Sequence, residues 1–150
     1  MKGERRMARR LALQALFEID AVSHPIGEVL AHCLEREEEI SSRVERYCRK
    51  LVTGVMRCRE LLDGYIQEHA PEWPLEQVAL VDRNLLRMAL YELSVGNVPI
   101  KVAINEAVEL AKDFGSDSAP RFVNGVLGAL VPKREAIIRT LQSCVNPTDD

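Results

Sequence analysis

Apolar residues recur three and four positions apart along most of this chain, and prolines and glycines cut that register into pieces of helix length. The longest piece runs Val44, Cys48, Leu51, Val55, Cys58, Leu62, Tyr65, a seam of about six helical turns that strand alternation cannot produce. Aromatics are only 5% of the residues, while Leu, Ala, Glu and Arg dominate. Good helix formers are therefore abundant and β-formers scarce. The pattern predicts an all-α fold.

The same register places the other elements. A first helix over about 4–22 buries Ala8, Leu11, Ala12, Ala15, Leu16 and Ile19, and His24-Pro25 ends it. A second, over about 25–37, turns Ile26, Val29, Leu30, Cys33 and Leu34 inward; the acidic run 35–39 reads as a solvated connection. Ser41 or Ser42 caps the third, with Glu45 placed for a capping box from Ser42. Further helices follow over about 82–95, 101–114, 119–131 and 133–141, about seven in all. Gly115 is expected as a left-handed stop, Ser116-Asp117-Ser118 as N-caps, and Gly125 and Gly128 as points of close helix packing. Pro71-Glu72-Trp73-Pro74 stops helices on both sides and predicts a joint near 71–74 between two subdomains of one domain. The tail 143–150 is expected to fray.

Several function classes are disfavoured. The sequence has no Walker loop, GxGxxG, GxSxG or HExxH motif. His24, His32 and His69 fall in or beside turns or on outer faces, so no catalytic site, cofactor or metal is expected. The stripe Asn105-Glu106, Glu109, Asp113 reads as a solvated or partner-facing surface. None of Cys33, Cys48, Cys58 and Cys144 forms a CxxC pair. Cys48 and Cys58 lie about 15 Å apart along one helix, so the cysteines read as core thiols of a reducing compartment. No apolar run approaches a membrane span or a signal-peptide core, and a cytoplasmic protein is expected.

Charge is uneven. Residues 1–10 hold Lys2, Arg5, Arg6, Arg9 and Arg10 against Glu4; with a net charge of −3 overall, the rest of the chain carries −7. A basic end on an acidic body points to a localised polyanion contact. Arg6, Arg10, Leu13 and Phe17 fall opposite the buried stripe of the first helix, with Arg5 and Arg9 flanking. Arginine grips phosphate and an aromatic face stacks an unpaired base, so single-stranded or structured RNA fits better than duplex DNA. The competing reading is a solubilising basic end with Phe17 packed under the second half.

Several blocks of sequence carry a family resemblance. They are Arg5-Arg6-Met7-Ala8-Arg9 with Ala12-Leu13-Gln14-Ala15-Leu16-Phe17, then Leu51-Val52-Thr53-Gly54-Val55, then Leu85-Leu86-Arg87-Met88-Ala89-Leu90-Tyr91-Glu92-Leu93. The most specific block is Val98-Pro99-Ile100-Lys101-Val102-Ala103-Ile104-Asn105-Glu106-Ala107-Val108-Glu109-Leu110-Ala111-Lys112, leading into Phe114-Gly115 and Phe122-Val123-Asn124-Gly125. Over residues 4–131 the chain resembles the NusB transcription antitermination family. The resemblance implies a two-subdomain helical fold that binds boxA RNA of ribosomal RNA leader transcripts. It does so with NusE, a small-subunit ribosomal protein, in an antitermination complex on RNA polymerase. It places Arg5, Arg6 and Arg9 at the RNA, with Arg10 an addition and Met7 where many relatives are basic. Phe17 matches an aromatic near both RNA and NusE; Phe122 and Asp82 match positions near the RNA and partner surfaces respectively. Two alternatives stay open: the NusB-like domain of a ribosomal RNA methyltransferase, which would need a truncated chain, and a helical scaffold that binds proteins only. Whether the chain is a monomer or homodimer is left open.

Overall fold

In a computed structural model, describing residues 2–37, 39–70 and 74–145, each predicted apolar register is wound into a helix. The seven α-helices are α1 (Lys2–Val22), α2 (Ile26–Glu35), α3 (Ser42–Glu68), α4 (Leu80–Ser94), α5 (Ile100–Phe114), α6 (Ala119–Leu130) and α7 (Arg134–Val145). Short 3-10 turns precede α4 and α7, and no strand occurs among the described residues.

The chain forms two compact units, 1–53 and 54–150, dividing inside α3. At 27 residues α3 is about 40 Å long, enough for its first turns to serve one core and its remainder another. The expected joint near 71–74 falls mostly on residues outside those described, as does the tail beyond residue 145. Residues 143–145, expected to fray, continue α7.

In the first unit α1 packs on α2, and Leu11, Ala12, Ala15 and Leu16 are buried with Val29, Leu30, Cys33, Val44, Cys48 and Leu51. Ser41 caps α3, its Oγ accepting from Val44 N–H (3.2 Å) while its hydroxyl donates to Glu4 Oε2 (2.9 Å). The anticipated Ser42–Glu45 box does not form, because Ser42 is already the first helical residue and Ser41 takes the cap.

In the second unit α4 packs against α5, α6 and α7, and every residue from Asn84 to Ser94 is buried. A helix covered all round must satisfy its polar side chains internally. Arg87 donates to both carboxylate oxygens of Asp63 (2.7 and 2.9 Å), and its third donor bonds Asn84 Oδ1 (3.1 Å). Ser94 Oγ donates to Leu90 O (2.6 Å). Arg134 Nε of α7 donates to Leu93 O at the end of α4 (2.7 Å).

Three expectations fail for packing reasons. Gly115 is extended (φ −94°, ψ −179°), not left-handed; a Cβ there would lie 2.6 Å from Ala119 Cβ and 2.9 Å from Ala111 O, so close approach excludes a side chain. Gly125 and Gly128 are exposed with open space beside them, so neither serves helix packing. Cys58 and Cys144 are not free thiols: they form a disulfide joining α3 to α7 across 86 residues, with Cα atoms 5.4 Å apart. Cys33 and Cys48 remain free and buried.

Candidate nucleic-acid interface

The basic start of α1 belongs to the first unit. With the Ala8–Ile19 stripe turned inward, a rotation of about 100° per residue leaves Arg5 and Arg6 exposed. Arg10 is half-buried, its Nη2 4.0 Å from Glu37 Oε1. Partly solvated pairs of this kind contribute little to stability and yield readily to a stronger anion.

Arg9 departs from the expectation of a surface contact. It is 5% exposed, with its guanidinium carbon 5.8 Å from the centre of the Tyr47 ring. Arg5, one turn earlier, lies over the same ring at 3.9 Å. Tyr47 therefore serves as a plate for Arg5. Cation–π contact fixes one face of the guanidinium and reduces the rotamer freedom that an anion would otherwise have to remove. At 8% exposure, Tyr47 cannot itself stack a base, but the exposed Arg5 on top of it can.

Phe17 is 42% exposed, about 16 Å along α1 from Arg6. Leu13, expected on the same outer face, is 3% exposed, and Gln14 is exposed in its stead. The surface of α1 thus carries cations at one end and an exposed aromatic ring two turns beyond Arg10. The first can neutralise phosphates and the second can stack an unpaired base.

Two further predicted residues lie in the second unit. Phe122, on α6, is half-buried. Asp82, in the first turn of α4, is 7% exposed and so is not presented as a partner contact. Its Oδ1 has no hydrogen-bond partner, and burial pushes its carboxyl pKa up from the usual carboxylate value. It faces the backbone of Gly115, where any Cβ would come within 3.1 Å of that oxygen.

Other chemistry finds little footing. Among the described residues no group of three or more His, Cys, Asp and Glu is placed to hold a metal ion. Burial raises the Cys33 thiol and pushes Cys48 up to about 12, so neither supplies thiolate near neutral pH. No helix among the described residues is long and apolar enough to cross a membrane.

Sequence reasoning missed Tyr47. It stands one position off the α3 seam, between Val44 and Cys48, and its role depends on α1 bringing Arg5 and Arg9 to it.

The NusB family profile matches residues 6–132. The transcription antitermination protein NusB of Chloroflexus aggregans (strain MD-66 / DSM 9485) is 47% identical over 136 residues, 89% of this chain and 90% of the relative. T. maritima NusB superposes with a TM-score of 0.81 at 29% identity, over 90% of this chain and 96% of that one. A structure of the antitermination factors NusB and NusE in complex with dsRNA gives 0.78 at 27% identity, over 93% and 99% of the respective chains. The chain, sharing both the sequence blocks and the helical fold of these proteins, belongs to the NusB family.

Proposed function

We propose that this protein is a transcription antitermination factor that binds boxA RNA of ribosomal RNA leader transcripts together with NusE on RNA polymerase. It acts in the cytoplasm, by binding and not by catalysis. The observation that carries the reading is Arg5, exposed and laid on Tyr47 beside exposed Arg6, in a chain of this family. A solved relative is a complex of NusB with NusE and RNA, which supports the same assignment.

Arg5, Arg6 and Arg10 hold phosphates, and Phe17 supplies a ring against an unpaired base or the partner. Buried Arg9 acts by packing beside Tyr47. Phe122 contributes to the RNA surface of the second unit, and Asp82 supports the partner surface from beneath through the Gly115 turn. NusE and RNA each strengthen the other's attachment, since coupling between two bound ligands is reciprocal. The acidic remainder of the chain suits a basic ribosomal protein.

Fluorescence anisotropy with a short boxA-like RNA over a salt series tests this. Three phosphate contacts predict a slope of log K against log salt near about −2 for a single strand. Arg5→Glu with Arg6→Glu is expected to abolish selective binding. A flat salt response, or binding indifferent to the reversal, would remove the arginine patch from the mechanism.

A further inference from the structure

The start of α3 presents a second basic surface that the α1 patch does not include. Arg43, Arg46, Tyr47, Arg49 and Lys50 of α3 line an open groove of about 540 Å³ in the first unit, to which α1 contributes Glu4 and Arg5. These four cations of α3 are exposed. Two are engaged: Arg49 Nε with Glu45 (3.1 Å), and Arg43 with Glu4 (3.8 Å). Arg46 and Lys50 meet no carboxylate among the described residues.

Structure alone gives no reason for this arrangement. Arg46 and Lys50 are an i,i+4 pair of like charge, and Arg43 and Arg46 an i,i+3 pair; both spacings repel on a helix surface. Cations in the first turns of a helix also oppose its dipole. The rest of the chain beyond residue 10 is acidic by seven charges, so the local excess of cations is not a reflection of composition. A polyanion removes each of these penalties together.

We propose that this groove is a second RNA-backbone site, continuous with the α1 patch through Arg5, in which Arg46 and Lys50 hold phosphates. The proposal rests on the RNA-binding reading above and adds α3 to it. Arg5 belongs to both surfaces, lining the groove while standing beside Arg6. Arg43 to Lys50 extends about 10 Å along the helix, longer than a single phosphate group. A strand held at Arg5 and Arg6 therefore continues over α3 instead of leaving into solvent.

The test compares Arg46→Ala with Lys50→Ala, together, against Arg139→Ala with Lys133→Ala, an equal change of charge on α7 and the turn before it. Each full-length protein is titrated into a boxA-like single-stranded RNA over a salt series. With the groove occupied, the three α1 contacts and these two set a slope of about −3.5; losing the two is expected to return it to about −2 and weaken binding about 25-fold at about 0.1 M salt, with the α7 control unchanged. Wild-type affinity and slope in the α3 variant, while Arg5→Glu with Arg6→Glu loses binding, would overturn the groove and leave the α1 reading standing. Absence of RNA binding by the unaltered protein would overturn both. A defect in NusE affinity alone would assign the groove to protein and refute the proposal. So would a fall in the urea midpoint, since removing like-charge pairs is expected to leave stability equal or higher.

Discussion

The same substitution at two glycines of α3 is expected to have opposite signs. Gly64 is exposed in the helix interior, and a Cβ there meets nothing within 4 Å. Alanine removes the backbone-entropy penalty of glycine in a helix, so Gly64→Ala is expected to stabilise by about 0.5–1 kcal/mol. Gly54 is buried on the same helix, and a Cβ would press into the Tyr91 ring, 2.7 Å from Cε1 with Cζ and Oη nearer still. Tyr91 is a rigid ring within the buried α4 and has little room to retreat. Overpacking of this kind costs about 1–3 kcal/mol, against the roughly 1 kcal/mol gained in helix propensity. Packing at least offsets propensity: Gly54→Ala is expected to lose up to about 2 kcal/mol and lower Tm by up to about 8 °C. Urea and thermal unfolding by circular dichroism measure both. In a Tyr91→Leu background the ring is gone, and Gly54→Ala should become neutral or stabilising. A stabilised Gly54→Ala in the unaltered chain, or no coupling to position 91, would refute the reasoning.

Three other perturbations follow from the same contacts. Phe17→Ala is expected to weaken RNA binding by about 1–3 kcal/mol in anisotropy while leaving the unfolding free energy in urea within about 0.5 kcal/mol, since the ring is exposed; an effect on NusE affinity alone would assign the ring to the protein interface. Asp82 has its pKa raised by burial, so its charged form is disfavoured in the fold and stability falls as pH rises from below the unfolded value, about 3.9, through the folded one. Asp82→Asn is therefore expected to raise the urea midpoint at pH 7 and to lose that advantage near pH 3, and an equal effect at both would contradict a charge origin. Closing an 86-residue separation, the Cys58–Cys144 disulfide restrains the unfolded chain. Unfolding in dithiothreitol is expected to show about 2–4 kcal/mol less stability than without it, and Cys58→Ser with Cys144→Ser should remove the difference.

The helices were legible because their signal is local. A three-four register with proline and glycine stops depends on nothing beyond a few turns, and it located the seam of α3 and the buried face of α1. Residues whose roles depend on a neighbouring helix were not legible. Leu13 and Arg9 lie on faces that an isolated amphipathic helix would expose, and here they are buried. Tyr47 has meaning only once Arg5 lies on it, and Cys58 only once α7 returns along α3. Gly115 was correctly singled out for the wrong cause: close approach at that turn, not a left-handed backbone, excludes a side chain. Of the candidate site, the exposure of Arg5, Arg6 and Phe17 was readable from charge and helical phase. The proposed α3 groove was not, because cations spaced along a helix usually mark a solvated surface, and only the fold sets these beside Arg5.

The most direct measurement is a titration of fluorescent boxA-like RNA and a scrambled control, each with and without NusE. Selective binding that NusE tightens is expected, with RNA raising NusE affinity by the same factor. Equal, weak binding to both RNAs, unchanged by NusE, would contradict an antitermination role and leave the basic end of α1 a charged surface without a nucleic-acid function.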